Sequence, residues 1–451
     1  MSVMKRILPP KMYDRLAYAA EIIKDASCVR IVSHHDADGV CSAAILIRTV
    51  MRLGHGFHTT LLKDFGEGFD RVRSEDFPVT VILDMGSGQM DVVEKMKGNI
   101  VVLDHHEIHH DSEEVVHINP RLYGINGTNE ACASTIAFAL STIIDDNNWD
   151  LAHLFVAGCI GDKQDIGGLR GINRLMVAES KKRNTLEEKP GLKIRDCSIK
   201  DALKTSCDPY FLGISGDEDG ANKFLEDIGI DGDKKIDEMS SAEIRVLRSA
   251  LALKLLAQGV KNEAVEALNT HIYTSPYWRL SANEISARAN ACGRMDEEAT
   301  ALAMCLGDLS AEEKAGRIRE EYINAVLKEM RNVVSNGPFT MKHIQFVYCD
   351  TPELSGTIAG LSMLYVFSQD MPTISLSVME DKTKVSARGT KYLVGRGLNL
   401  AEACRDAAMH VGGYGGGHDI AAGATIPKGK EEEFLKKIDE IVGWQLGAEK
   451  A

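Results

Sequence analysis

The chain has 451 residues and a mass of 49.3 kDa, with 44% hydrophobic residues and a formal net charge of −14 at pH 7. This length predicts two or three domains, and the acidic balance argues against nonspecific nucleic-acid binding over the whole surface. No apolar run approaches the roughly 18 residues that a membrane span needs, and residues 1–10 lack the apolar segment of a secretory signal. We therefore expect a cytoplasmic protein that does not contact a membrane.

Apolar strands alternate with helical segments over the first 180 residues. A helix is predicted to begin after Pro9 and Pro10 and to cover residues 11–24. The predicted strands cover residues 29–33, 57–62, 79–83, 100–103 and 115–118, and the further helices cover residues 40–47, 90–96, 129–144 and 149–160. This alternation predicts a parallel sheet with helices packed on it.

Composition changes after residue 180. Residues 170–204 carry ten Lys or Arg against five Asp or Glu, whereas residues 217–238 carry nine acidic residues against three basic ones. The basic stretch could hold a phosphate backbone, with the acidic block kept away from it and available to a protein partner. Solvated loop surface explains both stretches equally well.

The second half of the chain carries further helix and strand signals. Ser240 and Glu243 have capping-box spacing before a helix over residues 244–257, and Ser310 with Glu313 predicts the cap of a long helix reaching Val334. Strands are predicted at residues 344–348, 373–378, 384–387 and 420–426, with helices at 355–367, 399–410 and 430–442. We expect four regions, namely an α/β domain at 1–180, an inserted mostly helical module at 181–285, a connecting region with the long helix at 286–336, and a smaller α/β domain at 337–451.

Acidic and imidazole side chains follow four of the apolar runs. Residues 101–103 lead into Asp104, His105 and His106, and residues 29–33 lead into His34, His35, Asp36 and Asp38; residues 79–83 lead into Asp84, and residues 154–161 lead into Asp162. One such Asp is usually a turn or cap residue. Four in one region, with His at two of them, predict a metal site at the carboxyl edge of the sheet.

The spacing of these residues suits two divalent cations. His34, Asp36 and Asp38 alternate along one extended stretch and point to the same side of the backbone. We expect Asp84 to bridge the two cations, and His105 and Asp162 to complete the second coordination sphere. The mixed His and Asp set favours two Mn²⁺ ions, with Mg²⁺ or Co²⁺ as alternatives.

The four motifs resemble, in order, those of the DHH phosphoesterase superfamily. Residues 386–388 and 415–423 are similar to the substrate-binding signature of the DHH-associated domain in RecJ-type nucleases, and residues 290–294 are similar to the RecJ motif Asn-Ala-x-Gly-Arg. The resemblance is nearest to archaeal RecJ-like single-strand exonucleases, including the GINS-associated nuclease. Bacterial RecJ usually has Asp where this chain has His34.

The resemblance implies an α/β fold with an N-terminal DHH domain, whose parallel sheet is flanked by helices, then a long connecting helix and a smaller C-terminal DHH-associated α/β domain. It implies that the metal ligands are His34, Asp36, Asp38, Asp84, His105 and Asp162. His106 would contact the scissile phosphate or help protonate the leaving oxygen, while Asp104 would orient the His pair. The implied phosphate contacts are Arg294, Arg388, Gly416, Gly417 and His418.

We expect a metal-dependent exonuclease that hydrolyses phosphodiester bonds at an end of single-stranded DNA or RNA to mononucleotides, in replication or repair. One alternative is a phosphodiesterase of small substrates, such as short oligoribonucleotides or cyclic dinucleotides. The other is a replication scaffold that binds the GINS complex and the replicative helicase, and this role could coexist with nuclease activity. The ten cysteines are scattered without a Cys-x-x-Cys pair, so we expect reduced core residues.

Overall fold

The computed structural model of the protein describes residues 3–447, apart from the side chains of Glu67 and Glu263. The chain forms two compact units, each built from two separate stretches: Met1–Gly191 with Thr270–Glu320, and Leu192–Asn269 with Glu321–Ala451. The predicted range 181–285 therefore crosses both units. No helix in the described residues is long and apolar enough to cross a membrane.

Helices and strands alternate along most of the chain. The strands are β1 Cys28–His34, β2 Gly56–Leu62, β3 Val79–Leu83, β4 Asn99–Leu103, β5 Val116–Ile118, β6 Glu187–Leu192, β7 Asn269–Thr274, β8 Phe339–Thr340, β9 Gln345–Tyr348, β10 Thr373–Val378, β11 Lys382–Arg388, β12 Tyr414–Gly417 and β13 Ala421–Pro427. The helices are α1 Met4–Ile7, α2 Pro10–Asp25, α3 Ala37–Arg52, α4 Glu67–Arg73, α5 Met90–Val93, α6 Ala133–Ile144, α7 Ala152–Gly161, α8 Gly171–Lys182, α9 Ile199–Lys204, α10 Glu218–Asp227, α11 Ser241–Ala257, α12 Asn262–Glu266, α13 Ala282–Arg294, α14 Glu298–Cys305, α15 Leu309–Asn336, α16 Ser355–Tyr365, α17 Lys391–Gly395, α18 Leu400–His410 and α19 Glu431–Gln445.

The first unit contains a parallel sheet with the strand order β2-β1-β3-β4-β5. Every residue of β3 is buried because helices cover both faces, which explains why its sequence is a continuous apolar run. The predicted α/β fold with a parallel sheet is confirmed. The register pairs Ser33 with Leu83 and Leu83 with Leu103, so β1, β3 and β4 end at a common edge.

The second unit contains a six-stranded sheet with the order β12-β13-β11-β10-β9-β8. Its apolar residues pack with α18 and α19 in one core. Residues 192–268 share a second core with the later part of α15 and with α16. The segment 414–417 is rich in glycine, which would usually indicate a flexible turn, but it forms strand β12, which pairs with β13.

The helix predicted over residues 149–160 corresponds to a 3₁₀ helix at residues 146–151 followed by α7. Asp162 therefore follows a helix, whereas the other three motifs follow strands. One predicted helix cap needs correction. The long helix α15 is capped by Asp308, whose Oδ1 accepts the backbone N–H groups of Ser310 and Ala311 at 2.8 and 3.1 Å. The predicted cap at Ser310 is therefore wrong by two residues. All ten cysteines are free thiols, as predicted.

Candidate metal centre

Six predicted ligands meet at the carboxyl edge of the parallel sheet. β1 delivers His34 and the loop that follows it, β3 delivers Asp84, and β4 delivers the residues from Asp104 onward. Asp162 reaches the same place from the end of α7. Three groups of ligand atoms lie within 4.8 Å of one another, namely His34, Asp36 and Asp84; Asp38, His105 and Asp162; and Asp84, His105 and His106.

Asp84 lies between the first two groups. Its Oδ2 is 3.4 Å from His34 Nδ1, which is itself 3.1 Å from Asp36 Oδ2. Its Oδ1 is 3.2 Å from His105 Nε2, which is 3.1 Å from Asp162 Oδ2 and 3.9 Å from Asp38 Oδ2. The two oxygens of one carboxylate therefore face two different sets of ligands. Asp84 adopts a left-handed backbone conformation, with φ of 60°, immediately after β3.

Asp38 is held by the N-terminus of a helix. Its carboxylate accepts the backbone N–H groups of Ala133 and Ser134 at 2.8 and 3.0 Å, where the N-terminus of α6 favours negative charge. Gly158 on α7 packs against this contact. A Cβ at Gly158 would lie 2.2 Å from Ser134 Oγ and 2.5 Å from Asp38 Oδ1, so only glycine fits. Sequence patterns gave no role to Ala133, Ser134 or Gly158.

The orientation of His105 is set by a backbone carbonyl. Its Nδ1 lies 2.6 Å from the carbonyl oxygen of Gly127, so Nδ1–H donates and the Nε2 lone pair faces Asp84 and Asp162. A metal-binding imidazole requires this tautomer. At Gly127, a Cβ would lie 2.3 Å from the His105 carbonyl oxygen, so a larger residue cannot approach as closely. Gly127 carries no signal that distinguishes it from other loop glycines.

Asp104 is not a member of any ligand group among the described residues, but it contacts His105 and His106, which are. Its Oδ1 accepts His106 Nδ1–H at 2.8 Å and the backbone N–H groups of His105 and His106 at 2.8 and 3.2 Å, while Oδ2 accepts Ser87 N–H at 2.9 Å. These bonds account for both oxygens. Despite full burial, the hydrogen bond and charge of His106 hold the pKa of Asp104 well below its usual range. A carboxylate with these partners can orient the imidazole of His106.

The electrostatics of the cluster favour bound cations, because buried carboxylates crowd together here. Burial of Asp38, together with the charge of Asp84, raises its pKa to about 6, and burial raises the pKa of Asp162 well above its ordinary value. Although burial opposes it, the carboxylates of Asp36 and Asp84 raise the pKa of His34 to about 11, and Asp162 and Asp84 raise the pKa of His105. In the metal-free protein, protons therefore neutralise negative charge that bound metal ions would otherwise neutralise.

Unpaired buried atoms point to the same conclusion. Within residues 3–447, His34 Nδ1, Asp84 Oδ1 and His105 Nε2 are buried and make no hydrogen bond of good geometry. Leaving such atoms unpaired is unfavourable in a protein interior. Two divalent cations coordinated by the imidazoles and carboxylates would satisfy them, because both side-chain types are common ligands of divalent metals. The residues present therefore fit a pair of divalent metal ions.

Known families match both halves of the chain. Residues 28–159 match the DHH family, N-terminal domain, and residues 351–443 match the DHHA1 domain. An uncharacterized protein of Methanocaldococcus jannaschii is 32% identical over 440 residues, which cover 95% of this chain and 96% of that protein. This chain belongs to the DHH phosphoesterase superfamily.

Solved structures share the fold of this DHH protein. RecJ from Thermus thermophilus in complex with Mn²⁺ has a TM-score of 0.61 at 18% identity, covering 97% of this chain and 55% of RecJ, so the DHH protein spans about half the length of that RecJ. The same RecJ is also known in complex with Mg²⁺. CDC45 from Entamoeba histolytica has a TM-score of 0.67 at 12% identity, covering 96% of this chain and 99% of CDC45. These likenesses establish a RecJ-like fold.

Helix α13 of the DHH protein packs beside the loop that carries the first ligands. Asn290 Oδ1 accepts the backbone N–H of Ala37 at 3.3 Å, and a Cβ at Gly293 would lie 2.6 Å from the His35 carbonyl oxygen. Arg294 ends this helix and is exposed. The motif at 290–294 therefore places Arg294 beside the loop, as a phosphate contact requires.

The other predicted phosphate contacts lie in the second unit, at one end of its sheet. Arg388, the last residue of β11, pairs with Ala421, and Gly417 pairs with Ala422 on the other side of β13. Gly416 precedes Gly417 in β12, and His418 follows in the exposed turn. Gly417 has a φ of 138°, and a Cβ there would lie 2.7 Å from the Ala421 carbonyl oxygen, which explains the need for glycine.

Three further His or Asp side chains, near the metal-site motifs in sequence, lie apart from the ligand groups. His109 and His110, in the loop after β4, contact each other at 3.1 Å, and His110 pairs with Glu94 at 3.0 Å. Asp165 Oδ2 accepts a hydrogen bond from Thr270 at 3.3 Å. None of these side chains joins a ligand group among the described residues.

Proposed function

We propose that this protein is a two-metal exonuclease that releases mononucleotides from an end of single-stranded DNA or RNA, in replication or repair. The observation that carries the proposal is the position of Asp84, whose two oxygens face the two ligand sets. One set would hold the first cation through His34 and Asp36, and the other would hold the second through Asp38, His105 and Asp162. We propose Mn²⁺, with Mg²⁺ or Co²⁺ as alternatives. When bound, such a pair supplies water activation and charge neutralisation for phosphodiester hydrolysis.

His106 is the group that we propose handles a proton. Its Nδ1–H is held by Asp104, so Nε2 is left to face a substrate, and the side chain is 45% exposed. Although burial opposes the charged form, the hydrogen bond and charge of Asp104 raise the pKa of His106. The raised pKa favours an imidazolium that can donate to a phosphate oxygen or to the departing oxygen.

Arg388 and the glycine-rich end of β12 support a polymeric substrate. The Arg388 guanidinium lies so close to Gly356 that a Cβ there would be 2.4 Å from Nη2. A planar guanidinium held in this way suits paired hydrogen bonds to a phosphate. His418 and the backbone N–H groups beside it add further donors for an anion. A single-stranded nucleic acid carries successive phosphates, so phosphate-binding groups of this kind suit it better than a substrate with one phosphate.

The direct test uses single-stranded DNA and RNA, each labelled at either end, with Mn²⁺ or Mg²⁺. We expect progressive release of mononucleotides from one end, and loss of release in Asp84→Asn. Asp91→Asn is the matched control because Asp91 is an exposed carboxylate on α5, outside the ligand groups. Hydrolysis of cyclic dinucleotides or very short oligoribonucleotides, with longer strands left intact, would favour the small-substrate alternative. Metal binding without any hydrolysis would favour the scaffold.

For protein partners, we propose the GINS complex and the replicative helicase, with the acidic segment 217–238 as the contact. Ala221 and Leu225 of this segment are buried in the core of the second unit, so deleting it would damage the fold. Part of its charge is also used internally, because Lys200 contacts Asp233 at 2.5 Å and Lys204 contacts Glu218 at 3.2 Å. The acidic block is therefore not kept away from the basic stretch.

A test of this contact must neutralise charge without removing core residues. The triple variant Asp219→Asn, Glu226→Gln and Asp227→Asn changes three exposed carboxylates on α10. We expect weaker capture of GINS and unchanged mononucleotide release. The control neutralises exposed Asp91, Glu113 and Glu114 in the first unit. Equal capture of GINS by both triple variants would contradict the proposed contact.

A further inference from the structure

Lys63 is a basic residue beside the metal centre that no motif identifies. The parallel register pairs His34 with Leu62 as the last residues of β1 and β2, so Lys63 follows β2 as His35 follows β1. Both residues therefore leave the sheet at the carboxyl edge, where the ligand groups lie. Lys63 is 56% exposed, and its ammonium group can be reached from solvent.

Asp296 holds the ammonium group of Lys63 in an ion pair. Asp296 lies just beyond the end of α13 and has a φ of 57°, a left-handed conformation that Gly, Asn and Asp adopt more readily than other residues. Four non-glycine residues have positive φ in the described chain; Asp84 is a ligand candidate, and Lys163 follows the ligand candidate Asp162. Such backbone outliers concentrate at functional sites. Asp296 therefore combines an uncommon backbone conformation with a carboxylate that holds Lys63.

The end of α13 that carries Arg294 lies beside His35. A Cβ at Gly293 would lie 2.6 Å from the His35 carbonyl oxygen, and Asp296, which pairs with Lys63, follows two residues after Arg294. Arg294 is exposed and pairs with no carboxylate within residues 3–447. Two cationic side chains therefore lie beside the loop that carries His34, one paired with Asp296 and one unpaired.

The charge of the loaded centre explains why cations are needed there. Asp36, Asp38, Asp84 and Asp162 together carry four negative charges, which match the four positive charges of two divalent ions. With both metal ions bound, these charges cancel, so the centre attracts an approaching phosphate only weakly at long range. Cationic groups at its margin supply the attraction and fix the strand beside the reacting bond.

We propose that Lys63 contacts a substrate phosphate beside the metal centre, and that Asp296 holds the ammonium group in place until that phosphate replaces the carboxylate. The proposal rests on the exonuclease function and adds a residue that positions the strand. An exposed ion pair contributes little to stability, so exchanging a carboxylate for a phosphate oxygen is not opposed by a strong native contact. The compact, flexible ammonium group of lysine suits such an exchange.

The test is a double-mutant cycle with Lys63→Ala, Asp296→Asn and the double variant. We expect Lys63→Ala to raise KM for single-stranded oligonucleotides about tenfold, with a smaller change in kcat. Asp296→Asn keeps a residue that tolerates the left-handed conformation, and we expect it to lower KM by roughly two- to fivefold because it frees the ammonium group. The double variant should match Lys63→Ala. Lys97→Ala, at an exposed lysine away from the centre, is the control.

Opposite signs of the two single changes distinguish a phosphate contact from a structural ion pair. If Lys63→Ala and Asp296→Asn both raise KM, or if neither changes it, the proposal is overturned. A second measurement uses calorimetry of inorganic phosphate binding to the Mg²⁺-loaded protein. We expect the highest phosphate affinity for Asp296→Asn, a lower affinity for the unsubstituted protein, and the lowest for Lys63→Ala and the double variant. Phosphate binding can be measured without hydrolysis. If the unsubstituted protein degrades no strand, the exonuclease function is refuted, but the phosphate affinities still decide the role of Lys63.

Discussion

The metal centre of the first unit and the glycine-rich sheet end of the second unit are built in different ways. At the metal centre the ligand side chains are buried or half-buried, and backbone groups hold some of them, as Ala133 and Ser134 hold Asp38. At the sheet end the functional groups are more exposed, and much of their chemistry comes from the backbone of Gly416 and Gly417. The first arrangement fixes the geometry of a reaction, while the second offers donors to phosphates that differ in position.

This difference predicts where substitutions are most severe. A buried carboxylate shared by two ligand sets cannot be replaced by water, because several charges depend on it. An exposed phosphate contact can be partly replaced by solvent or by a neighbouring donor. We therefore expect effects on catalysis to fall from Asp84, through His106, to Arg388 and His418.

The largest effect is expected for Asp84→Asn. The amide supplies at most one good ligand oxygen and no charge, so both cation sites lose a shared ligand. We expect hydrolysis of any phosphodiester to fall by about a thousandfold or more. Removing one of four crowded carboxylates should leave the melting temperature of the metal-free protein unchanged or raised. Activity with Mn²⁺ close to that of Asp91→Asn would refute the bridging role of Asp84.

His106→Ala should have the next largest effect, and it should act on turnover more than on metal affinity. Nδ1 of His106 is occupied by Asp104, so the imidazole serves the substrate through Nε2. We expect kcat to fall by roughly a hundredfold, while the Kd for Mn²⁺ changes by less than about fivefold. Calorimetry and single-turnover rates measure the two quantities, with His109→Ala as the control. A parallel loss of metal affinity would make His106 a ligand.

Much of the metal centre could be predicted because its residues follow apolar strands. A buried parallel strand has a continuous apolar sequence, and an acid or imidazole directly after it must lie at the carboxyl edge. This rule locates Asp84 and His105. Asp162 fits the same pattern in the sequence although it follows α7, and only its family motif locates it correctly.

The contacts that hold these ligands could not be predicted. Ser134 acts through its backbone N–H and Gly127 through its backbone carbonyl. Nearly every residue type has these groups, so the sequence does not show which of them are used. Gly158 is needed only because α7 passes close to Asp38, which depends on helix packing. In the second unit, glycines that usually indicate a turn form strand β12, because pairing with β13 outweighs their low strand propensity.

Arg388→Ala and His418→Ala test the glycine-rich sheet end of the second unit. Each removes a proposed charged phosphate contact that lies in the second unit. We expect kcat/KM for oligonucleotides to fall by about ten- to a hundredfold, corresponding to roughly 1.5–3 kcal/mol. The loss on bis(4-nitrophenyl) phosphate should be much smaller, because this diester has one phosphate. Arg405→Ala and His410→Ala, on α18, are the controls. Equal losses on both substrates would mean that these residues support the metal centre itself.

The smallest effect is the pH dependence of stability and of metal affinity. It distinguishes the buried metal centre from the exposed sheet end, because it arises from a buried carboxylate. Because burial and Asp84 raise the pKa of Asp38 to about 6, the folded metal-free protein holds a proton there that the unfolded chain releases near pH 4. The stability of the metal-free protein should therefore fall as pH rises from about 4 to 6. A metal ion displaces this proton, so Mn²⁺ affinity should weaken as pH falls below about 6, by up to about tenfold per pH unit for this group.

Proton release measures this coupling directly. His34, with a pKa of about 11, stays protonated across the window and contributes a constant number of protons. Calorimetric titration with Mn²⁺ in buffers of different ionisation enthalpy should show about one fewer proton released at pH 7 than at pH 5. Asp38→Asn should remove this difference while leaving the contribution of His34. The same number of protons released at both pH values by the unsubstituted protein would show that Asp38 is already ionised at pH 5.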